Sequence, residues 1–288
     1  MAARYPIPTL RLRDGHSIPA LGFGIGTAWI DGKKTEINRK LVEAIKTAIK
    51  LGYRHFDTAE VYNSERELGI AIKESEVPRE EFFVTTKLWK NWDNITASFE
   101  ASLERLRMDY VDLYLIHSPF FVESSKDLQT QWSSLEALHS TGRARSIGVS
   151  NFYAPHLTAI LQTAKIKPVI NQIELHPYLQ HPDLQALLKT HNIALASYGP
   201  LTPITKASPG PVDEVVERLA RKYGAGEGEI LLRWVIEQGG VAITTSSKEE
   251  RMRGYLKATE FELTEDEVKE ISEKGKRKHH REFFRSRF

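Results

Sequence analysis

The sequence predicts an α/β fold, and within that class a (β/α)8 TIM barrel with an N-terminal β-hairpin plug and an extra C-terminal helix and tail. Three observations predict it. Eight short apolar, strand-like runs alternate with helix-like stretches over most of the 288 residues. Helical connections favour parallel strands joined by right-handed crossovers, and eight such units in about 250 residues match a closed barrel. Three of the runs end in single polar residues, Asp57, Lys87 and His117, and barrels carry their active groups at the C-terminal ends of strands. The rival is a doubly wound open sheet. No shift of composition marks the second domain it would bring, so the expectation is one barrel domain over residues 1–288 with a basic tail at 275–288.

Each element has its own signal. Asp14-Gly15 lies between two short apolar runs, Thr9–Leu12 and Ser17–Pro19, and reads as a β-hairpin that plugs the N-terminal end. Ala20–Gly24 is the first barrel strand. Leu41, Ile45, Ala48 and Ile49 share one helical face, and Gly52 ends that helix. His55–Asp57 is the next strand. A helix near 64–74 follows, with Ser64 as its N-cap and Glu65 and Glu67 in its first turn. The strand at 82–87 precedes a helix capped by Asn94, with Ile95, Phe99, Leu103 and Leu106 as its apolar stripe. Strands at 110–116, 144–149, 169–174, 193–198 and 241–243 alternate with helices at 127–141, 155–164, 182–191, 212–223 and 227–238. A Pro/Gly-rich loop runs from Tyr198 through Pro211. A helix from about Lys248 and another over 264–274 complete the chain.

Composition narrows the function classes. Hydrophobic residues make up 41% and charged residues 27%, which fits a soluble globular protein. A net charge of +2 gives no nucleic-acid or membrane footprint. The absence of cysteine excludes thiol nucleophiles and thiolate metal sites and agrees with a cytoplasmic location. No signal peptide and no run near 20 apolar residues is visible. A monomer is expected, because no sustained coiled-coil pattern occurs.

The chemistry lies in a set of residues. Asp57, Lys87 and His117 end three strand-like runs, and Tyr62 follows Asp57 by five residues, far enough to fold back over the strand mouth. A free phenol is too weak an acid at neutral pH, with a pKa of about 10. A nearby ammonium favours phenolate and lowers that value. Asp57 is expected to keep Lys87 charged and oriented, and His117 to fix a carbonyl oxygen. Such a set suits a reaction in which a carbonyl becomes an alkoxide and takes up a proton. Gly22-x-Gly24-x-Gly26 has its third glycine one position early for a dinucleotide fingerprint, so these glycines read as a tight turn with backbone clearance.

Longer matches surround that set: Gly24–Thr27, Tyr53–Ala59, Tyr62-x-x-Glu65, Thr86–Trp89, Leu115-Ile116-His117-x-Pro119, Gly148–Phe152 and Asn171–Glu174. Through them the chain resembles the aldo-keto reductases over nearly its whole length. The resemblance implies a nicotinamide nucleotide across the barrel mouth and transfer of hydride to an aldehyde or ketone. It implies Tyr62 as acid, with Asp57 and Lys87 tuning it and His117 orienting the substrate. Ser150, Asn151 and Gln172 are then expected at the carboxamide, Tyr198 under the nicotinamide ring, and Thr27 near the ribose. Gly199, Pro200 and Leu201 follow on the cofactor rim.

Departures from the family pattern refine the expectation. Thr245 stands where Lys is usual and Tyr255 where Asn is usual, while Ser246 and Arg251 remain. Ser247 and Lys248 complete a cradle of hydroxyls, a helix start and cations suited to a phosphate, although Glu249 and Glu250 oppose an anion. NADPH is the expected cofactor. Gly26–Trp29 is one residue longer than usual, and Ser118 replaces a common Trp. Both features are similar to a fungal branch that includes reductases of conjugated polyketones and α-keto amides. Trp29, Trp89, His117, Ser118 and Phe120 are the expected substrate walls, and the substrate is a small activated carbonyl: a 1,2-dicarbonyl, keto lactone or keto ester.

The basic tail, with Phe283, Phe284 and Phe288, reads as solvated by composition; the resemblance brings one Phe to the pocket. Two rivals stand beside the reductase. A metal-dependent hydrolase would use His55, Asp57, His117 and His176 around Zn2+ or another divalent ion, but leaves Lys87, Tyr62 and Ser150-Asn151 without a role. A cofactor-binding accessory protein of the same fold would bind nucleotide without turnover.

Overall fold

The computed structural model describes residues 7–26, 29 and 36–287. Strands β1 (Thr9–Arg11) and β2 (Ser17–Pro19) form the antiparallel hairpin, with Leu10 opposite Ile18. Its turn is held by Asp14: one carboxylate oxygen accepts from the His16 N–H at 3.1 Å, the other from the Ser146 hydroxyl at 2.6 Å. The second bond ties the hairpin to the sheet. Leu12 and Ile18 enter a buried cluster with Leu113, Leu115, Val169, Ile170, Ala196 and Val241. The hairpin therefore closes the barrel floor, as expected.

Eight parallel strands make the barrel: β3 (Leu21–Gly24), β4 (His55–Asp57), β5 (Phe83–Leu88), β6 (Val111–Ile116), β7 (Ala144–Ser150), β8 (Ile170–Glu174), β9 (Ala194–Tyr198) and β10 (Gly240–Thr244). They close in sequence order, with β10 pairing β3. Every residue of β5, β6 and β8 is buried, which is why these strands read as continuous rather than alternating runs. Register fixes the mouth. Gly24 pairs with Asp57, Asp57 with Thr85, Lys87 with Leu115, and Ser150 with Gln172.

The helices form the outer layer: α1 (Arg39–Leu51), α2 (Glu65–Glu74), α3 (Ile95–Leu106), α4 (Ser125–His139), α5 (Ala154–Leu161), α6 (Pro182–Thr190), α7 (Thr202–Thr205), α8 (Asp213–Tyr223), α9 (Glu227–Glu237), α10 (Glu249–Leu256) and α11 (Glu265–Gly275). Local chemistry sets their ends. Asn38 and Asn94 accept from backbone N–H groups of their first turns, and Ser124 and Thr264 make reciprocal capping boxes with Asp127 and Glu267. Gly52 ends α1 in the left-handed region at φ 111°. Gly69 lets α2 meet α3, since a Cβ there would stand 2.1 Å from the Leu106 carbonyl oxygen. Ser64 departs from expectation. It stands at the N-cap of α2, but its hydroxyl donates to the Ile25 carbonyl at 2.9 Å rather than capping the helix. The loop after Tyr198 contains the short helix α7.

His55 sits fully buried near the floor, with Nδ1 3.3 Å from the Pro19 carbonyl and Nε2 3.3 Å from the Thr85 hydroxyl. Burial lowers its pKa from 6.5 to about 4. The unfolded chain therefore binds a proton in the window from 6.5 down to 4 that the folded chain refuses, so stability falls as pH falls through it. The thermal midpoint is expected to drop between pH 6.5 and 4. His55→Gln removes a part of that slope on the order of 3 kcal/mol, measured by calorimetry across the same pH range.

Candidate active site

The mouth is built on a buried ion pair. Lys87 Nζ lies 2.5 Å from Asp57 Oδ1 and donates to the Thr58 carbonyl at 2.9 Å. Lys87 has no exposed surface and Asp57 is 4% exposed. Gln172 donates its amide N–H to the second Asp57 oxygen at 2.7 Å. Three strands, β4, β5 and β8, thus meet at one carboxylate. Burial lowers the Lys87 pKa, and the attraction of Asp57 works against that shift.

Tyr62 arrives on a single 3-10 turn, Glu60–Tyr62, ended by Asn63 at φ 52°. The turn is fixed from several sides. A Glu60 carboxylate oxygen accepts from the Trp89 N–H at 3.0 Å, and the Thr58 and Ser64 hydroxyls are 3.0 Å apart. Gly26 clears the ring: a Cβ there would stand 2.8 Å from Tyr62 Cε2. The clearance expected of the glycine run therefore serves the phenol. Tyr62 Oη is 3.3 Å from His117 Nε2, and the Lys87 ammonium is 5.3 Å from the phenol ring centroid.

Two protonation states follow. Burial, reinforced by Lys87, holds the His117 pKa well below 6.5, so the imidazole is neutral. Its Nδ1 is buried with no hydrogen-bond partner. An unpaired lone pair there costs less than an unpaired N–H, which places the single proton on Nε2, beside Tyr62. The expectation for Tyr62 needs correction. Burial raises the phenol pKa above its ordinary value, and Asp57 adds to the rise. Lys87 does not lower it, because its charge is compensated by Asp57 at 2.5 Å.

On the side expected to take the nicotinamide, the polar residues are bonded to one another. The Ser150 hydroxyl donates to the Gln172 carbonyl at 2.8 Å. Asn151 donates to the His117 carbonyl at 2.9 Å and accepts from the Tyr198 hydroxyl at 2.6 Å. Gly199, at φ 66°, turns the chain after β9 toward Pro200 and Leu201.

The residues expected at the phosphate cluster at the start of α10. The Ser246 hydroxyl accepts from the Lys248 N–H at 3.0 Å, and Ser247, Lys248 and Arg251 are exposed. Arg253 engages Glu249 at 2.6 Å, reducing one of the two opposing charges. Tyr255 packs toward α9, where a Cβ at Gly228 would lie 3.2 Å from its ring. Trp29 also belongs here. Its indole N–H donates to the Thr245 hydroxyl at 3.2 Å, and it lines a cavity of about 570 Å3 with Arg39, Ser247 and Glu249. This contact ties Trp29 to the loop that precedes α10. Thr27 lies outside the described residues.

The wall above His117 is aromatic. Trp89 meets the His117 ring at 5.1 Å and Phe121 at 4.6 Å, and Phe120 meets Phe284 at 5.3 Å. Phe121 was not among the expected wall residues, and the Phe-Phe pair after Pro119 was its only signal; Phe284 is one of the tail phenylalanines from which the resemblance brings one to the pocket. Ser118 differs from expectation. It is fully buried, and its oxygen accepts from the Phe120 N–H at 3.1 Å, shaping the loop rather than the cavity surface. The residues of the hydrolase rival point apart: His55 to the floor, His117 to Tyr62, His176 to Glu174. Among the described residues no group of three His, Cys, Asp or Glu converges as a metal site, and no helix is long and apolar enough to cross a membrane.

Comparison with known proteins places this geometry. The model of the aldo/keto reductase family matches residues 22–276. The chain is 40% identical to the NAD/NADP-dependent indole-3-acetaldehyde reductase of Schizosaccharomyces pombe, over 94% of this chain and 96% of that protein. It is 38% identical to the NADPH-dependent α-keto amide reductase of Saccharomyces cerevisiae, over 92% and 89%. The crystal structure of a Bombyx mori aldo-keto reductase in complex with NADP superposes with a TM-score of 0.86 at 35% identity, covering 96% of this chain and 95% of that one.

The raised phenol pKa has a direct optical consequence. Of the ten tyrosines, Tyr62 is expected to remain un-ionised at pH 10 and above. A tyrosinate difference titration of the wild type against Tyr62→Phe should show no component from position 62 near pH 10. A component titrating there would contradict the burial argument.

Proposed function

The chain belongs to the aldo/keto reductase family, and we propose that it is an NADPH-dependent carbonyl reductase with Tyr62 as its general acid. The observation that carries the reading is the buried Asp57–Lys87 pair directly beneath a phenol that touches a neutral imidazole. In this reading residues 1–288 form one barrel domain that works as a cytoplasmic monomer on a small carbonyl.

The residues present fit the nucleotide. Lys248 and Arg251 are exposed beside the Ser246 turn at a helix start, a donor set suited to a phosphate. Ser150, Asn151 and Gln172 would hold the carboxamide, and the Tyr198 ring, only partly covered, would stack on the nicotinamide. NADPH, when bound, supplies the hydride.

The protein's own groups handle the proton. His117 Nε2–H and the Tyr62 O–H converge on one carbonyl oxygen and polarise it. As that oxygen becomes an alkoxide, Tyr62 passes it a proton; an alkoxide is the stronger base, so a phenol of raised pKa still delivers, and it holds its proton at neutral pH until then. Asp57 holds Lys87 in place beneath the Tyr62 ring, so the pair orients the phenol rather than lowering its pKa. Gln172 fixes the free Asp57 oxygen. The aromatic wall of Trp89, Phe120 and Phe121 selects flat, activated carbonyls, and a 1,2-dicarbonyl, keto lactone or keto ester is the substrate class. The α-keto amide named for the yeast relative supports that class.

Tyr62→Phe is expected to lower kcat/KM for a diketone by about 10²–10⁴-fold while tryptophan quenching by NADPH stays within about twofold. Equal loss of binding would point to misfolding instead. Combining Lys248→Ala with Arg251→Ala should raise the NADPH Kd about tenfold and leave that for NADH unchanged, read by fluorescence titration. A parallel rise for both nucleotides would contradict the phosphate assignment.

A further inference from the structure

Glu174 ends β8 at the mouth, beside Tyr198 in register, and the mechanism above does not use it. It is fully buried. One carboxylate oxygen accepts from the Glu282 N–H at 2.7 Å and faces His176 Nε2 at 3.2 Å. The other accepts from the Phe283 N–H at 3.0 Å. Two consecutive backbone N–H groups of the C-terminal tail are therefore held by the two oxygens of one side chain. A carboxylate matches that fork with both oxygens, whereas an amide offers one acceptor and turns a donor toward a donor.

The bonds place the tail's aromatic residues. Phe283 meets the Tyr198 ring edge-on at 5.3 Å and 83°. Phe284 meets Phe120, and Arg287 stands 6.0 Å from the Phe120 ring. Phe284 has φ 54°, a conformation that costs a bulky residue energy and persists only where its surroundings dictate it. Upstream, the His280 N–H donates to the Tyr178 carbonyl at 3.2 Å and Lys278 to the Pro209 carbonyl at 2.9 Å. The tail is docked from Lys278 to Phe284, with the buried carboxylate holding residues 282 and 283. From there Phe283 touches Tyr198, Tyr198 donates to Asn151, and Asn151 donates to the His117 carbonyl.

We propose that Glu174 is a positioning residue: it clips the tail backbone at residues 282 and 283 so that Phe283 braces the nicotinamide-stacking ring of Tyr198 and Phe284 completes the substrate wall at Phe120. The role rests on the reductase reading above. It ties tail docking to nucleotide and carbonyl affinity, and leaves the proton-transfer groups in place.

The test compares Glu174→Gln, a truncation after His280, and the two combined. Trypsin is expected to cut the tail at its Lys and Arg residues much faster in Glu174→Gln than in the wild type. Carbonyl KM should rise about tenfold and NADPH Kd about fivefold in each single variant, with no further loss in the combination. Single-turnover NADPH oxidation at saturation should change less than about threefold. Unchanged trypsin resistance, or losses that multiply, would overturn the proposal. Should Glu174→Gln fail to fold, Phe283→Ala and the truncation decide it: both should weaken NADPH, and unaltered affinity in both overturns it. A wild-type protein that binds no NADPH would overturn the coupling together with the reductase reading. Normal turnover with unchanged variants would overturn the coupling alone.

Discussion

A fully buried ammonium is the constraint on which the mouth of this barrel depends. Lys87 has no access to water and rests on one carboxylate and one carbonyl. Removing either charge of such a pair leaves the other stranded, while the pair itself contributes little net stability because both ions were taken out of water. Its effect is geometric. Asp57 must sit at the end of β4 and Lys87 within β5, and Gln172 on β8 must reach across to the second oxygen. The closed order of the strands makes that meeting possible, so register, closure and site depend on one another.

The same low-dielectric environment sets the protonation of its neighbours. Burial drives His117 neutral and Tyr62 toward retaining its proton. The two groups stand 3.3 Å apart at the open end of the barrel, in the arrangement on which the proposed proton transfer rests. At the floor the same physics acts on His55 without a functional partner, where it only makes the fold sensitive to acid. The contrast lies in the surroundings: His55 faces the hairpin and Thr85, whereas His117 faces a phenol at the open end.

Much of this was legible in the sequence. The eight strands read clearly because barrel strands are buried on both faces and flanked by amphipathic helices with ordinary caps. Asp57, Lys87 and His117 stood out as polar residues ending apolar runs. Other features were hidden for physical reasons. The direction of the Tyr62 shift depends on how completely Asp57 compensates Lys87, which is a matter of ångströms. Ser118 carried an expected role in the substrate wall, yet it is fully buried and bonded within its own loop. The tail looked solvated because its composition is basic. Its docking uses backbone N–H groups, which every residue carries, and a buried acceptor more than a hundred positions away.

The most direct test of this account is a double-mutant cycle on the central pair. Stability of Asp57→Asn, Lys87→Met and the double variant would be measured by denaturant unfolding. Each single variant is expected to lose about 3–5 kcal/mol through a stranded buried charge, and the double variant to recover most of that loss. Such strong coupling would establish that the pair fixes the mouth by mutual compensation. Losses that simply add would contradict it, showing that Asp57 and Lys87 are held in place by the barrel independently of each other.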